Sequence, residues 1–230
     1  SFTDCAGDTA GEYVSSVYES ALPTNTALYI KSNSAVDGST TFTDSSTNAY
    51  TLTANGNVQN STAQTKIDSS SILFDGTGDS ISIPYATWHS TTGAFGSGSF
   101  TLAGWYRFDA IAEVGLMTKG GFGSVTDYNG WSWSFFADNT MRMYYREGGS
   151  AQINQTSDAL SLSVDTWYYL AMVRNGNIWT FYKDGVAVGT FSDTLTMTNG
   201  DNVDLKIGIF GDDTRDFDGY QDSLIIAKSA

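Results

Sequence analysis

A chain of 230 residues with 40% hydrophobic and 14% aromatic side chains can bury a substantial core, which excludes an intrinsically disordered polymer. Its net charge of −14 arises from 21 Asp and 4 Glu against 11 scattered basic residues. That balance argues against a nucleic-acid partner, and the excess of Asp, a turn and cation-ligand residue, argues against a helical protein. The single cysteine, Cys5, excludes an internal disulfide and a Cys-based zinc site, and no apolar run approaches the ~18 residues of a membrane span.

Residues 1–26 read as an arm. Thr9 and Glu12 form a capping-box pattern, and Val14, Val17, Tyr18, Ala21 and Leu22 follow at helical spacing before Pro23. The spacing predicts a short amphipathic helix, which either packs on its own domain or docks on another subunit. Ser1 is what removal of a signal peptide or an initiator Met would leave.

From residue 27 to residue 230 the period is two, and one domain is expected. Ile81 and Ile83 alternate with Ser80 and Ser82. Phe100, Leu102, Tyr106 and Phe108 face away from Thr101, Ala103 and Arg107. Met141, Met143 and Tyr145 do the same against Arg142, Tyr144 and Arg146. Trp167, Tyr169, Ala171 and Val173 share a phase, as do Ile178, Thr180 and Tyr182. The turns Asn175-Gly176 and Asp184-Gly185 link these last segments into a three-stranded meander. Many short strands between glycine-rich turns predict an all-β, antiparallel two-sheet sandwich. Nothing in the meander pairs a base with a nucleophile, so it reads as scaffold.

The strings GSFTLAGWYRF, LMTKGG, LSVDTWYYLAMVRNGNIWTFYKDGVAVGT and LKIGIFGDDTRDFDGYQDSLII occur in an order that resembles laminin-G-like, concanavalin A-like jelly rolls. The resemblance covers residues 27–228, and the versions it is similar to occur in bacteriophage structural proteins and bacterial surface or secreted proteins. It implies a jelly roll with a lectin-like adhesion function on a virion or cell surface. The partners it implies are glycans or a surface polysaccharide, capsid or fibre subunits reached through the arm, and further copies of the chain. Such domains often have His where Tyr169 stands, and an acidic residue where Ile30 and Lys31 stand.

In a regular final strand, Tyr220, Asp222, Leu224 and Ile226 would share one face. A carboxylate among aliphatic side chains needs a partner, a shifted pKa or a cation. The alternative is a β-bulge that turns Asp222 outward. The resemblance implies a structural Ca2+ near Asp222, with Asp37 and Asp44 of the early loop as the candidate partners.

Sugar binding needs flat aromatic faces beside groups that donate to and accept from hydroxyls. DYNGWSW supplies Tyr128, Asn129 and Trp131, although in relatives a tryptophan here is commonly core. Asp212 and Asp213 lie in a loop with Asp216 and Asp218 around Arg215. That loop is either solvated, a second cation site, or a rim for sugar hydroxyls. Laminarinase-type relatives carry Glu-x-Asp-x-x-Glu, and none of Glu12, Glu19, Glu113 and Glu147 has that setting. His89, the one histidine, has no GxSxG motif nearby. The expected function is non-enzymatic recognition of a glycan or surface polymer, with bound Ca2+. The alternatives are a purely structural capsid or fibre component and a glycoside hydrolase.

Overall fold

The period-two pattern becomes fifteen strands in two antiparallel sheets in a computed structural model, which describes Leu22 and residues 25–85, 95–120, 129–198 and 202–229. One sheet has eight strands. Its order is β13 (Val186–Ser192), β12 (Ile178–Lys183), β11 (Trp167–Asn175), β6 (Phe100–Phe108), β15 (Asp218–Ala227), β4 (Ser71–Asp75) and β3 (Gln59–Ser61), and β1 (Thr26–Ile30) also pairs with β15. The other sheet has seven. It runs β10 (Ser150–Thr156), β9 (Met141–Glu147), β8 (Gly130–Phe135), β7 (Val114–Lys119), β14 (Leu205–Ile207), β5 (Ser80–Ile83) and β2 (Thr53–Asn55). The expected all-β sandwich is therefore the observed one. The predicted N-terminal helix, Cys5, His89 and Tyr128 lie outside the described residues.

The two inward faces meet through aromatic rings. Tyr106 of β6 packs edge-on to Trp133 of β8 at 5.8 Å, and Phe108 lies 4.7 Å from Phe135. Phe217, just before β15, closes on Phe108 at 5.1 Å. Fully burying each such side chain stabilises the fold by roughly 1.5–3 kcal/mol.

Among the described residues, two cations, Arg174 and Lys119, are fully buried. Arg174 shares the inward phase of β11 with Leu170 and Met172 and is 0% exposed. Its Nε donates to Gly176 O at 3.0 Å, Nη1 to Gly96 O at 2.9 Å and Nη2 to Leu195 O at 2.6 Å. The guanidinium also lies 4.8 Å from the Trp179 ring. Burial lowers its pKa, and the three carbonyls replace the water it loses.

The final strand breaks the regular alternation. Asp222 stands opposite Trp105, and Ile225 stands opposite Ala103, so Ser223 and Leu224 together face Gly104. Ser223 takes the left-handed conformation, with φ of 49°. This bulge turns Asp222 to the outer face and returns Leu224 and Ile226 to the core, which corrects the shared face read from regular spacing. Leu224 then fills the space above Gly104, where a Cβ would lie 2.5 Å from its Cδ2.

Asp222 is still 0% exposed, because the connection from β3 to β4 crosses over it. Its Oδ2 accepts the Ile67 amide at 2.8 Å, and the amides of Ser223 and Lys66 also bond to the carboxylate. Burial nevertheless dominates these bonds, and it pushes the Asp222 pKa up to about 7. Asp68 adds repulsion, and Tyr29 and Lys31 stand nearby.

Two outcomes are expected. Arg174→Lys keeps the charge but loses the planar fork, and urea unfolding should show a loss of about 2–4 kcal/mol; a change below ~0.5 kcal/mol would mean water satisfies those carbonyls. For Asp222, the folded state holds a proton that the unfolded chain releases near pH 4. Its stabilising contribution is full below that pH and is lost as the pH rises towards 7. Asp222→Asn should flatten this fall and exceed the parent at pH 8, by on the order of 4 kcal/mol at most. Parallel stability–pH profiles for the two proteins would refute that assignment.

Candidate functional site

The outer face of the seven-stranded sheet carries a row of polar side chains in direct register. Tyr144 pairs with Ser132, Ser132 with Thr118, Thr118 with Lys206, Lys206 with Ser82, and Ser82 with Thr53. The inward row one position along is Met143, Trp133, Met117, Ile207, Ile81 and Ala54. The same alternation that builds the core therefore lines up hydroxyls and one ammonium across six strands.

The connection from β14 to β15 folds back over part of this row. Gly115 is required beneath it, because a Cβ there would lie 2.3 Å from Ile209 O. Thr118 Oγ1 donates to the same Ile209 O at 2.9 Å, and Phe210 packs edge-on to Phe136 at 6.3 Å. The β14–β5–β2 end stays open as a cleft of about 400 Å³, whose lining includes Asn55, Ser80, Ser82, Asp204, Lys206 and Asp213. Asn55 Nδ2 donates to Ser80 Oγ at 3.1 Å and Ser82 Oγ at 3.2 Å. Lys206 pairs with Asp213, and Asp204 accepts the Tyr85 amide at 2.8 Å. Hydroxyls, an amide, an ammonium and carboxylates at one opening suit a polyol, which presents donors and acceptors in alternation.

Of the residues read from sequence as sugar-binding, Asp213 lies on this cleft. Asp212 instead accepts Arg215 Nη2 at 2.8 Å and Thr214 Oγ1 at 2.6 Å, and Arg215 Nη1 also reaches Glu113 at 2.9 Å. Repulsion within the acidic loop is thus relieved by Arg215 and Lys206. Trp131 is 3% exposed and packs 5.5 Å from Phe95, so its ring is core and offers no stacking face. Asn129 is half-buried at the start of β8.

The expected Ca2+ ligands do not converge. Among the described residues, no three His, Cys, Asp or Glu side chains group as a metal site. Asp44 accepts the amides of Tyr29, Ser46 and Tyr50 and the Ser46 hydroxyl, which uses both of its oxygens. Asp37 is exposed and accepts the Thr62 amide at 2.8 Å, while Asp222 holds the 62–70 connection. Carboxylates already committed to N–H donors in three different places do not fit one shared cation.

The opposite outer face, on the eight-stranded sheet, holds an aromatic belt, of which the sequence reading assigned only the meander residues Trp167 and Tyr169 to scaffold. Trp105 stands in register between Tyr169 and Asp222, and Arg107 stands between Trp167 and Tyr220. All four rings are half-buried. Trp105 and Tyr169 have centroids 5.2 Å apart, and the Lys66 ammonium sits 4.2 Å above Trp105. The signal was present in the alternation, since Trp167 and Tyr169 oppose the aliphatic Leu170 and Met172.

The family described as the concanavalin A-like lectin/glucanases superfamily matches residues 75–230. No curated protein matches the chain. Among solved structures, the receptor-binding domain of botulinum neurotoxin D superposes with a TM-score of 0.63 at 13% identity, over 90% of this chain and 50% of that one. The binding domain of Paraclostridial Mosquitocidal Protein 1 gives 0.60 at 17%, over 90% and 49%. The botulinum neurotoxin serotype D ligand-binding domain in complex with N-acetylneuraminic acid gives 0.63 at 13%, over 90% and 48%. This chain thus spans about half the length of the structures it matches, and at such identity the likeness is one of fold. From the end of β4 onward its strands follow the family pattern, and the chain belongs to the concanavalin A-like lectin/glucanases superfamily.

Proposed function

We propose that the chain is a non-enzymatic glycan-recognition module that binds through the polar cleft of the seven-stranded sheet. The observation that carries this reading is the set of hydroxyl, amide and ammonium groups that the strand register brings to one opening of about 400 Å³. That volume falls within the range of small-ligand sites. The botulinum neurotoxin serotype D domain that shares the fold has been captured with N-acetylneuraminic acid, which supports a sugar as ligand class.

Hydrolysis is disfavoured by how the carboxylates of the cleft are used. A glycosidase needs one acid kept protonated by its surroundings, across the scissile bond from a second carboxylate. Asp213 is paired with the Lys206 ammonium, and Asp204 accepts a backbone amide. Among the described residues, the carboxyls raised by burial are Asp79, Asp109 and Asp222, and none of them lines this cleft.

A glycan array probed with the intact chain should retain a restricted set of sugars. Lys206→Ala and Asn55→Ala should each weaken that binding by about 5- to 100-fold, the effect of losing a hydrogen bond, larger where it is charge-assisted. Silence across the array, or sugar affinity indifferent to both substitutions, would reject the cleft. Reducing ends released from a bound glycan would reject the non-enzymatic reading.

A further inference from the structure

We propose that the outer face of the eight-stranded sheet is a second binding site, for an acidic polysaccharide whose uronic-acid rings lie on the aromatic belt with a carboxylate at Lys66. The site is separate from the polar cleft, since the two occupy the outer faces of different sheets.

Lys66 is set apart by its exposure together with its place on the belt. Arg142 and Lys183 also rest on rings, Phe136 and Tyr168, but are half-buried, and four other cations are held by carboxylates. Arg107 pairs with Asp109 and Asp165, Lys206 with Asp213, Arg215 with Glu113 and Asp212, and Lys31 with Asp68. Lys66 is exposed, makes no ion pair among the described residues, and rests on an indole. An ammonium over a tryptophan face is held in place while keeping its charge available to an anion.

The position is fixed from beneath. The backbone amides of Lys66 and Ile67 both bond to the Asp222 carboxylate, on the register row that carries Trp105 and Tyr169. The bulge at Ser223 therefore serves the belt directly. It turns Asp222 outward, Asp222 holds residues 66 and 67, and Lys66 is set on Trp105 before any ligand arrives. Such preorganisation lowers the ordering cost of binding.

The neighbouring groups suit a flat anionic ring. Tyr169 stands beside Trp105, and one row along, Arg107 lies 5.2 Å from Tyr220, with Trp167 at its other side. Ring and charge alternate, and Leu73 follows Tyr220 at the end of the second row. A pyranose places its C–H face on the neighbouring Tyr169 ring and its carboxylate on the ammonium that covers Trp105. Neutral polymers would forgo the second contact.

Polygalacturonate is the probe, with uncharged dextran as its neutral counterpart, and binding to the intact chain is measured by titration calorimetry at low salt. The parent should bind polygalacturonate and not dextran, and the affinity should fall as salt is raised. Lys66→Glu, a substitution at an exposed position, should weaken binding at least tenfold, and Tyr169→Ala at least fivefold. The proposal is overturned if polygalacturonate does not bind or dextran binds equally. It is likewise overturned if Lys66→Glu matches the parent, or if the affinity is lost in Lys206→Ala and kept in Lys66→Glu.

Discussion

The structure turns on one extra residue of backbone in the strand that joins three others. β15 pairs with β6 along most of its length, with β4 at its start and with β1 at its end. The bulge at Ser223 exchanges its faces midway. Without it, Asp222 would enter the core beside Leu224 and Ile226, and an unpaired buried carboxylate costs several kcal/mol. With it, the core receives Leu224 and Ile226 beyond Gln221, and Gly104 is left without a side chain so that Leu224 can fit. The outer face gains an acceptor that anchors the β3–β4 connection.

That use of a carboxylate recurs. Asp79 takes the amides of Asn57 and Asp75, Asp184 takes Tyr169 N, Asp193 takes Leu195 N, and Asp204 takes Tyr85 N. A sandwich with many connections has many amides outside its ladders, and Asp is short enough to reach a nearby one without losing much side-chain freedom. Glu is too long for the same role. The ratio of 21 Asp to 4 Glu thus has a structural cause, and it does not by itself imply a bound cation.

The sequence made the sheets legible because side chains in β5, β6, β9 and the β11–β12 hairpin alternate; in β6 and β9 the apolar phase is the inward one, whereas in the hairpin the phase of Trp167, Tyr169 and Ile178 faces outward. It was less informative about the site. For β8, the sequence left open whether Trp131 stacks on a sugar or is core; the Phe95 contact that buries it, like the Tyr106 contact on Trp133, comes from a distant segment. For β15, spacing misled because the bulge residue is Ser, whereas a glycine would have marked a left-handed position. The cleft was illegible for another reason. Asn55, Ser82 and Lys206 come from three strands spread over the chain, and only the ladder brings them together.

The two outer faces differ because the core constrains each strand at alternate positions only. Inward residues of both sheets must interdigitate, so they are predominantly apolar. The outward positions carry no such demand, and here they diverge into a hydroxyl row and an aromatic belt. Each is partly roofed by a connection held down through backbone carbonyl or carboxylate acceptors, Ile209 O over β7 in one case and Asp222 under residues 66 and 67 in the other. A roof pinned by its own main chain restricts which part of a face a ligand can reach without depending on the side chains the roof displays. Those side chains, Asp213 paired with Lys206 on one roof and Lys66 on Trp105 on the other, are therefore free to set the chemistry of each face.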